Sequence, residues 1–355
     1  MIIEKELSAI ALHITEPEYR QRTQELSYSN LSTYEKVGFN GLDHLFDRKE
    51  SSSLTFGSAV DCYLTGGVDE FHNTYKVMDI NITEGGENVI RQLVNKVTTE
   101  NLGYEKFDDI PKKLVSDVAK EVGFWKADKW DARRYNEVVG TGNVSDYYEV
   151  LMHADKIVIT TAIYQDLLNC VKALRESPST SGYFAENDEF SPVRRYYQLK
   201  FAATFDGVGY RNMADLLVCD YEKKVIYPID LKTSSHAEWD FEKSFTEWQY
   251  MIQARLYWRI IKANLEADPY FREFELKDYR FVVVNAKTLT PLTWEFPLTK
   301  TAGTLVDDKG NEYRDPFVIG KELRGYLNLR PAVPNGITQN GINIIKCLRL
   351  KEPNA

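Results

Sequence analysis

Two neighbouring segments place acidic and basic side chains at spacings that could do metal-assisted chemistry: Met213-Ala-Asp-Leu-Leu-Val-Cys-Asp220 and Ile229-Asp-Leu-Lys232. Both read as β-strands. Successive side chains on a strand point to opposite faces, so Asp230 and Lys232 share a face while Leu231 turns into the core. Asp215, on the preceding strand of a hairpin, is expected to reach that same face. Two carboxylates and an ammonium converging at a strand end would hold a hard cation with an acid–base group beside it. A helix follows that carries Gln249, Gln253 and Tyr257 at four-residue intervals, next to an apolar row of Trp248, Ile252, Leu256 and Ile260.

The elements that must position these groups are partly legible. Val225-Ile-Tyr-Pro-Ile-Asp-Leu-Lys232 is rich in β-branched and aromatic residues, as a strand should be. Pro228 cannot donate to a ladder, which predicts an edge position or a bulge. Arg280-Phe-Val-Val-Val-Asn285 reads as a buried strand. Thr246-x-x-Gln249 fits a capping box for the Gln/Tyr helix, with Ser244-x-x-Glu247 as an overlapping alternative, and Pro269 lies past its end. Upstream, a helix is expected to begin at Ser29 or Ser32, and Asp61 to sit on a helix starting after Ser51-Ser-Ser53. Residues 66–191 look mostly helical, with 88–101, 111–122 and 161–176 the strongest segments. Such an insertion would either support the sheet by packing or gate access to it. The Gly-x-Gly within Val139-Gly-Thr-Gly142 lacks the rest of a phosphate loop and reads as a connection.

Asp61 within Gly57-Ser-Ala-Val-Asp61, then Asp215, then Asp230 with Lys232, then Gln253 with Tyr257 resemble the motif series of the PD-(D/E)XK nuclease superfamily. The resemblance is greatest to the exonuclease VIII (RecE)-like branch, with lambda-exonuclease and RecB-type nuclease domains more distant. Leu26-Ser-Tyr-Ser-Asn-Leu31 is similar to the entry segment of these domains. The matched portions span residues 26–65 and 196–261. One position departs: the branch often carries His where this chain has Asp61, and Asp is also a competent oxygen ligand.

The resemblance implies an α/β fold, a restriction-endonuclease-like core whose central mixed sheet is flanked by helices, plus a helical insertion. It divides the chain into an entry segment and first-motif helix (1–65), the insertion (66–191), a catalytic core (192–300) and a C-terminal extension (301–355). It also implies a Mg²⁺-dependent DNA exonuclease, with Mn²⁺ able to substitute. Asp215 and Asp230 would be the principal metal ligands, with Asp61 and the Leu231 carbonyl as further ones. Lys232 would orient or deprotonate the attacking water, Gln253 and Tyr257 would complete the catalytic set by lining the cleft and contacting phosphate or a terminal base, and Gln249 would join Gln253 in binding DNA. Resection from 5′ to 3′ at double-stranded ends, a single-strand annealing partner, a phage or prophage recombination setting in a bacterial cytoplasm and a ring-shaped homo-oligomer come with it. Two other readings stand beside this one: a RecB-like single-strand or flap nuclease in replication or defence, and a non-catalytic DNA-binding protein. A structural Ca²⁺ site is disfavoured by the lysine, because a cation beside a metal site costs energy unless it is used.

Composition constrains the rest. A 355-residue chain with 43% hydrophobic residues can bury a substantial core. A formal net charge of −9 is not the footprint of a non-specific DNA binder, so any nucleic-acid contact must be local. Arg194 and Arg195, interleaved with Tyr196 and Tyr197, could touch backbone phosphates or simply begin a strand; Arg255-Leu-Tyr-Trp-Arg259 is a second such stretch. Aromatic residues make up 13% of the chain, and most should be core. Cys62, Cys170, Cys219 and Cys347 form no Cys-x-x-Cys pair and read as buried free thiols. The downstream Cys triplet of cluster-bearing relatives is lacking, so no iron–sulfur cluster is expected. His236 belongs in a solvated loop. Residues 1–22 fit neither a signal peptide nor a membrane span. Lys346, Arg349 and Lys351 give the end of the chain a basic character suited to DNA contact or to solubility.

Overall fold

The computed structural model describes residues 3–38, 42, 43, 45, 46 and 52–329, so Cys347 and the basic residues near the C-terminus lie outside the described residues. Both acidic segments lie in a six-stranded mixed sheet. β1 (Val193–Phe205) and β2 (Val208–Asp220) form a long antiparallel hairpin. β3 (Val225–Thr233) runs antiparallel to β2, and β4 (Tyr279–Val284) lies parallel to β3. β5 (Leu292–Phe296) closes the order antiparallel to β4, and the short strand Glu275–Leu276 pairs with the start of β3.

β3 is therefore internal, not the edge that Pro228 suggests. The ladder to Glu275–Leu276 ends at Ile226 and the ladder to β4 begins at Ile229. The Leu231 N–H faces β2, so by alternation the Pro228 nitrogen faces the other side, into the gap between those ladders. The missing donor costs the sheet nothing there.

Helices cover both faces. On one side lie α1 (Tyr28–Val37), α3 (Phe241–Glu247), α4 (Tyr250–Ala267) and α5 (Pro316–Leu329). Ile252, Leu256 and Ile260 of α4 bury against Leu217, Ile226 and Phe281. On the other side lie α2 (Ser52–Thr74), kinked at Gly67, and the helix Thr161–Glu176. Here Leu231 packs with Ile229, Val60 and Leu167, so it does turn into a core opposite the face of its acidic neighbours. Burying each such aliphatic side chain contributes about 1.5–3 kcal/mol. Among the described residues no helix is long and apolar enough to cross a membrane.

Strand alternation changes phase midway along the hairpin. Val208, Tyr210 and Ala214 face the α4 side, but beyond Asp215 it is Leu217 and Cys219 that do so. β1 changes phase at the facing position, where Gln198 adopts a left-handed φ of 51°. Asp215 thus sits at a break in the pleat, which simple period-two reasoning does not anticipate.

Two helix starts differ from expectation. α1 begins earlier than Ser29, because the Ser27 N–H donates to Asn30 Oδ1 at 2.9 Å. α2 begins inside the serine cluster, at Ser52. The expected helices near 88–101 and 111–122 appear as Glu84–Thr99 and Lys112–Glu121. With Arg134–Val139 and Val144–His153 they surround their own core, built on Leu93, Val115, Tyr147 and Tyr148. Two short parallel strands, Tyr75–Met78 and Ile157–Thr160, were not expected. Gly142 is a packing residue: a Cβ there would lie 2.2 Å from the Asn81 carbonyl oxygen.

Candidate active site

The ladder between β2 and β3 runs from the pair Asp220 and Val225 to the pair Leu216 and Ile229, then stops. The next facing pair would be Asp215 and Asp230. The strands part there, and Asp215 Oδ2 accepts the Leu231 N–H at 3.0 Å in place of a backbone partner. The N–H and C=O of one strand residue face the same edge, so the Leu231 carbonyl also faces this opening. Further along β2, the edge that β3 vacates is taken by the approach to α1. Leu26 donates to the Gly209 carbonyl at 2.9 Å and accepts from the Arg211 N–H at 3.0 Å.

Asp230 is fully buried. Its Oδ2 lies 2.6 Å from Lys232 Nζ, although no hydrogen bond is well directed at that oxygen. Gln253 locks the pair from α4: its Nε2 donates to Asp230 Oδ1, and its Oε1 accepts from Lys232 Nζ at 3.1 Å. The ammonium also sits 4.4 Å from the centre of the Tyr250 ring. Burial by itself would lower the Lys232 pKa, but the fields of Asp230, Tyr250, Asp215 and Tyr28 outweigh it and the net shift is upward. Lys232 is held as an ammonium.

Asp61 reaches the cluster because α2 passes close to the end of β3. A Cβ on Gly57, one turn before Asp61, would lie 3.1 Å from Thr233 Oγ1. Burial in the cleft and then the charge of Asp230 push the Asp61 carboxyl from its ordinary 3.8 up to about 7, against the pull of Lys232; Glu16 adds to the rise. Asp215 is pushed well up by burial, by Asp230 and by Asp61. Three carboxyl groups therefore share one desolvated region with a single lysine.

Can these residues hold a metal ion? Among the described residues, no three His, Cys, Asp or Glu side chains are gathered into a ready-made cage. The available donors are all oxygens: Asp61, Asp215, Asp230 and the Leu231 carbonyl. Mg²⁺ prefers oxygen, keeps several waters and needs few protein carboxylates, so the set fits Mg²⁺ or Mn²⁺ better than a closed structural site. The incompletely satisfied Asp230 Oδ2 fits the same role.

A test follows from the raised carboxyls. An acid whose folded pKa exceeds its unfolded value stabilises the fold below that pKa, and the contribution fades as pH rises from about 4 towards 7. In EDTA, the thermal midpoint is expected to fall between about pH 5 and pH 8. Mg²⁺ should raise it most at the upper end, where the carboxylates are ionised and can bind. A Mg²⁺-induced shift of equal size at both ends would argue that these groups are not the ligands.

Tyr257 lies in the same buried neighbourhood. Burial, Tyr19, Asp230 and Asp215 hold its phenol well above the ordinary value, so it keeps its proton. Gln249 is separated from this row. It adopts a left-handed conformation (φ 55°, ψ 45°) that ends α3 and caps α4, so it does not share a helix with Gln253 and Tyr257. Its Oε1 is buried without a hydrogen-bond partner. Neither expected capping box forms; the Thr246 hydroxyl donates to the carbonyls of Glu242 and Lys243 within α3. Trp248 leaves the apolar row and is 49% exposed.

The two arginines of β1 are occupied elsewhere. The Arg194 guanidinium donates to the carbonyls of Asp188, Glu189 and Ser191, and Arg195 to that of Gly182. They tie the preceding loop and the short helix Ser181–Phe184 to β1, opposite Cys219 and Val218 and away from the carboxylates. Arg255 is buried, binding Asp315 and the carbonyls of Thr301 and Gly303. His236 lies in an exposed loop, and Cys62, Cys170 and Cys219 are free thiols. Sequence reasoning missed Tyr28, Tyr250 and Tyr279. Tyr28 and Tyr250 act on Lys232, and the Tyr279 phenol faces Asp230 and Asp215. Their position beside motif residues was the available signal: Tyr28 inside the entry segment, Tyr250 after Gln249, and Tyr279 just before the buried strand run.

No protein-family model and no curated protein matches this chain. Among solved structures, it is similar to one described as a "Putative exonuclease" from Eubacterium rectale, at 12% identity and a TM-score of 0.37, over 90% of this chain and 84% of that one.

Proposed function

We propose that this chain is a divalent-metal-dependent deoxyribonuclease that hydrolyses phosphodiester bonds at DNA ends. The observation that carries the reading is the convergence of Asp61, Asp215 and Asp230 on one ammonium, Lys232, where β2 and β3 part. Asp215, Asp230 and Asp61, with the Leu231 carbonyl, would hold Mg²⁺ or Mn²⁺. When bound, the cation supplies Lewis acidity to the phosphoryl group and to the attacking water.

The remaining work falls to the chain's own side chains. Lys232 orients the water and offsets negative charge that builds on the phosphoryl oxygens. Gln253 fixes both Lys232 and Asp230, so neither has to reorganise during the reaction. Tyr257 and Tyr279 keep their protons and close the cleft against bulk water. Through its motif order, the reading extends to 5′-to-3′ resection of double-stranded ends by a homo-oligomer that supplies single strands to an annealing protein. The net charge of −9 requires DNA to be drawn in by local cations, so association should weaken steeply with salt.

The test is digestion of a linear duplex labelled at either the 5′ or the 3′ end, with Mg²⁺ and with EDTA. Metal-dependent early release of the 5′ label is expected. Preference for single strands or flaps would move the reading to a RecB-like trimming nuclease. Absence of cleavage on duplex, single-stranded and flap substrates, with Mg²⁺ or Mn²⁺, would overturn it in favour of a binding role.

A further inference from the structure

Trp248 is placed where its sequence context does not predict it. Four-residue spacing puts it in the buried row of Ile252, Leu256 and Ile260, yet the left-handed Gln249 breaks the helix and turns the indole outward, 49% exposed. A non-glycine residue in that conformation costs about 1–3 kcal/mol, and such strain persists only where the surroundings enforce it. They do so here. The Tyr28 hydroxyl donates to the Trp248 carbonyl oxygen at 2.6 Å, and the Lys36 ammonium lies 4.2 Å from the centre of the indole ring.

Through the Trp248 carbonyl, Tyr28 also ties this segment to the candidate active site. The ring of Tyr28 lies 6.3 Å from that of Tyr250, the ring beneath Lys232. The exposed indole offers a flat π-surface on the segment that Tyr28 ties to this lysine. An unpaired nucleotide offers the complementary base face. A lone tryptophan is too small for a protein-docking patch, which would need several hundred Å² of contiguous apolar surface.

We propose that Trp248 forms a nucleobase platform beside the site: the indole stacks on an unpaired base at the DNA end. The proposal rests on the nuclease reading above and specifies how that site takes a frayed or single-stranded terminus.

The experiment measures binding of the full chain, in EDTA so that nothing is cut, to a duplex with a short overhang. The overhang carries either its bases or abasic residues. Trp248→Ala is expected to weaken binding to the normal overhang about tenfold, and removing the bases should weaken the native protein by a similar factor. The two losses should not add, because each removes half of one contact. Trp248→Phe should recover part of the affinity and Trp248→Leu little of it, a contrast that a merely structural role would not produce. Native affinity in Trp248→Ala, or an abasic penalty undiminished in that variant, would overturn the platform. The nuclease reading is tested separately by the native protein. If it cuts DNA while the two losses add, only the platform falls; if it neither cuts nor binds DNA, both fall.

Discussion

Asp230→Asn should abolish metal-dependent DNA cleavage, with a loss of about a thousandfold or more, while the protein stays folded. The loss follows from position: Asp230 is the fully buried carboxylate that Lys232 and Gln253 both engage, and the charge that acts on Asp61 and Asp215. Removing it lowers the attraction for a cation and the help given to charge on the phosphoryl group, a contribution of several kcal/mol in metal-assisted hydrolysis. Asparagine fills the same volume and still offers an oxygen to Gln253. The substitution also relieves the charge crowding on Asp61 and Asp215, which offsets the counter-ion taken from Lys232. The thermal midpoint in EDTA should therefore move little, while the rise on adding Mg²⁺ disappears. Single-turnover cleavage and a metal titration of the melting curve read both effects. A variant that cuts like the native protein would exclude Asp230 from the chemistry.

Lys232→Ala should behave differently, damaging stability as well as activity. The substitution leaves a fully buried Asp230 without its nearest counter-ion, beside two further carboxyls. Stranding one partner of a buried ion pair costs about 3–5 kcal/mol. That loss should be greatest in EDTA at alkaline pH. It should shrink when Mg²⁺ replaces the missing positive charge, or when acid protonates the carboxyls. Activity should fall by about 10²–10³ even with saturating metal, the usual effect of losing a group that stabilises developing charge. Lys232→Arg should not rescue it, because a planar fork cannot take the place of a compact ammonium between Asp230 Oδ2, Gln253 Oε1 and the Tyr250 ring. A Lys232→Ala protein with native stability in EDTA would show that the Asp230–Lys232 pair contributes nothing to the fold.

These contrasts rest on geometry that was only partly legible from the residues. Asp230, Leu231 and Lys232 were readable because a strand has one strict period, and a central strand leaves each side chain no choice of face. Gln253 and Tyr257 were readable because both lie within one uninterrupted helix. Gln249 and Trp248 were misplaced by the same helical period, because nothing in their types announces a left-handed break between them. The facing of Asp215 depends on a change of pleat phase shared with Gln198, a long-range property of two paired strands. Pro228 misled for a related reason: whether a missing donor matters depends on which neighbour lies across from it. Arg194 and Arg195 were ambiguous because their partners are backbone carbonyls, which no side-chain pattern reveals.

The ribbon formed by Tyr75–Met78 and Ile157–Thr160 has a consequence for how the molecule comes apart. One face of the ribbon, through Met78 and Val158, belongs to the helical block; the other, through Tyr75, Val77 and Ile159, belongs to the sheet. Residues 79–156 thus carry an apolar interior of their own and join the rest mainly through two strands bonded to each other, with Lys156 also donating to the His72 carbonyl of α2. Such a block can melt or refold as its own cooperative unit, so the chain need not unfold in one all-or-none step. The helical block can then loosen on heating while the carboxylates at the parted strands stay in place.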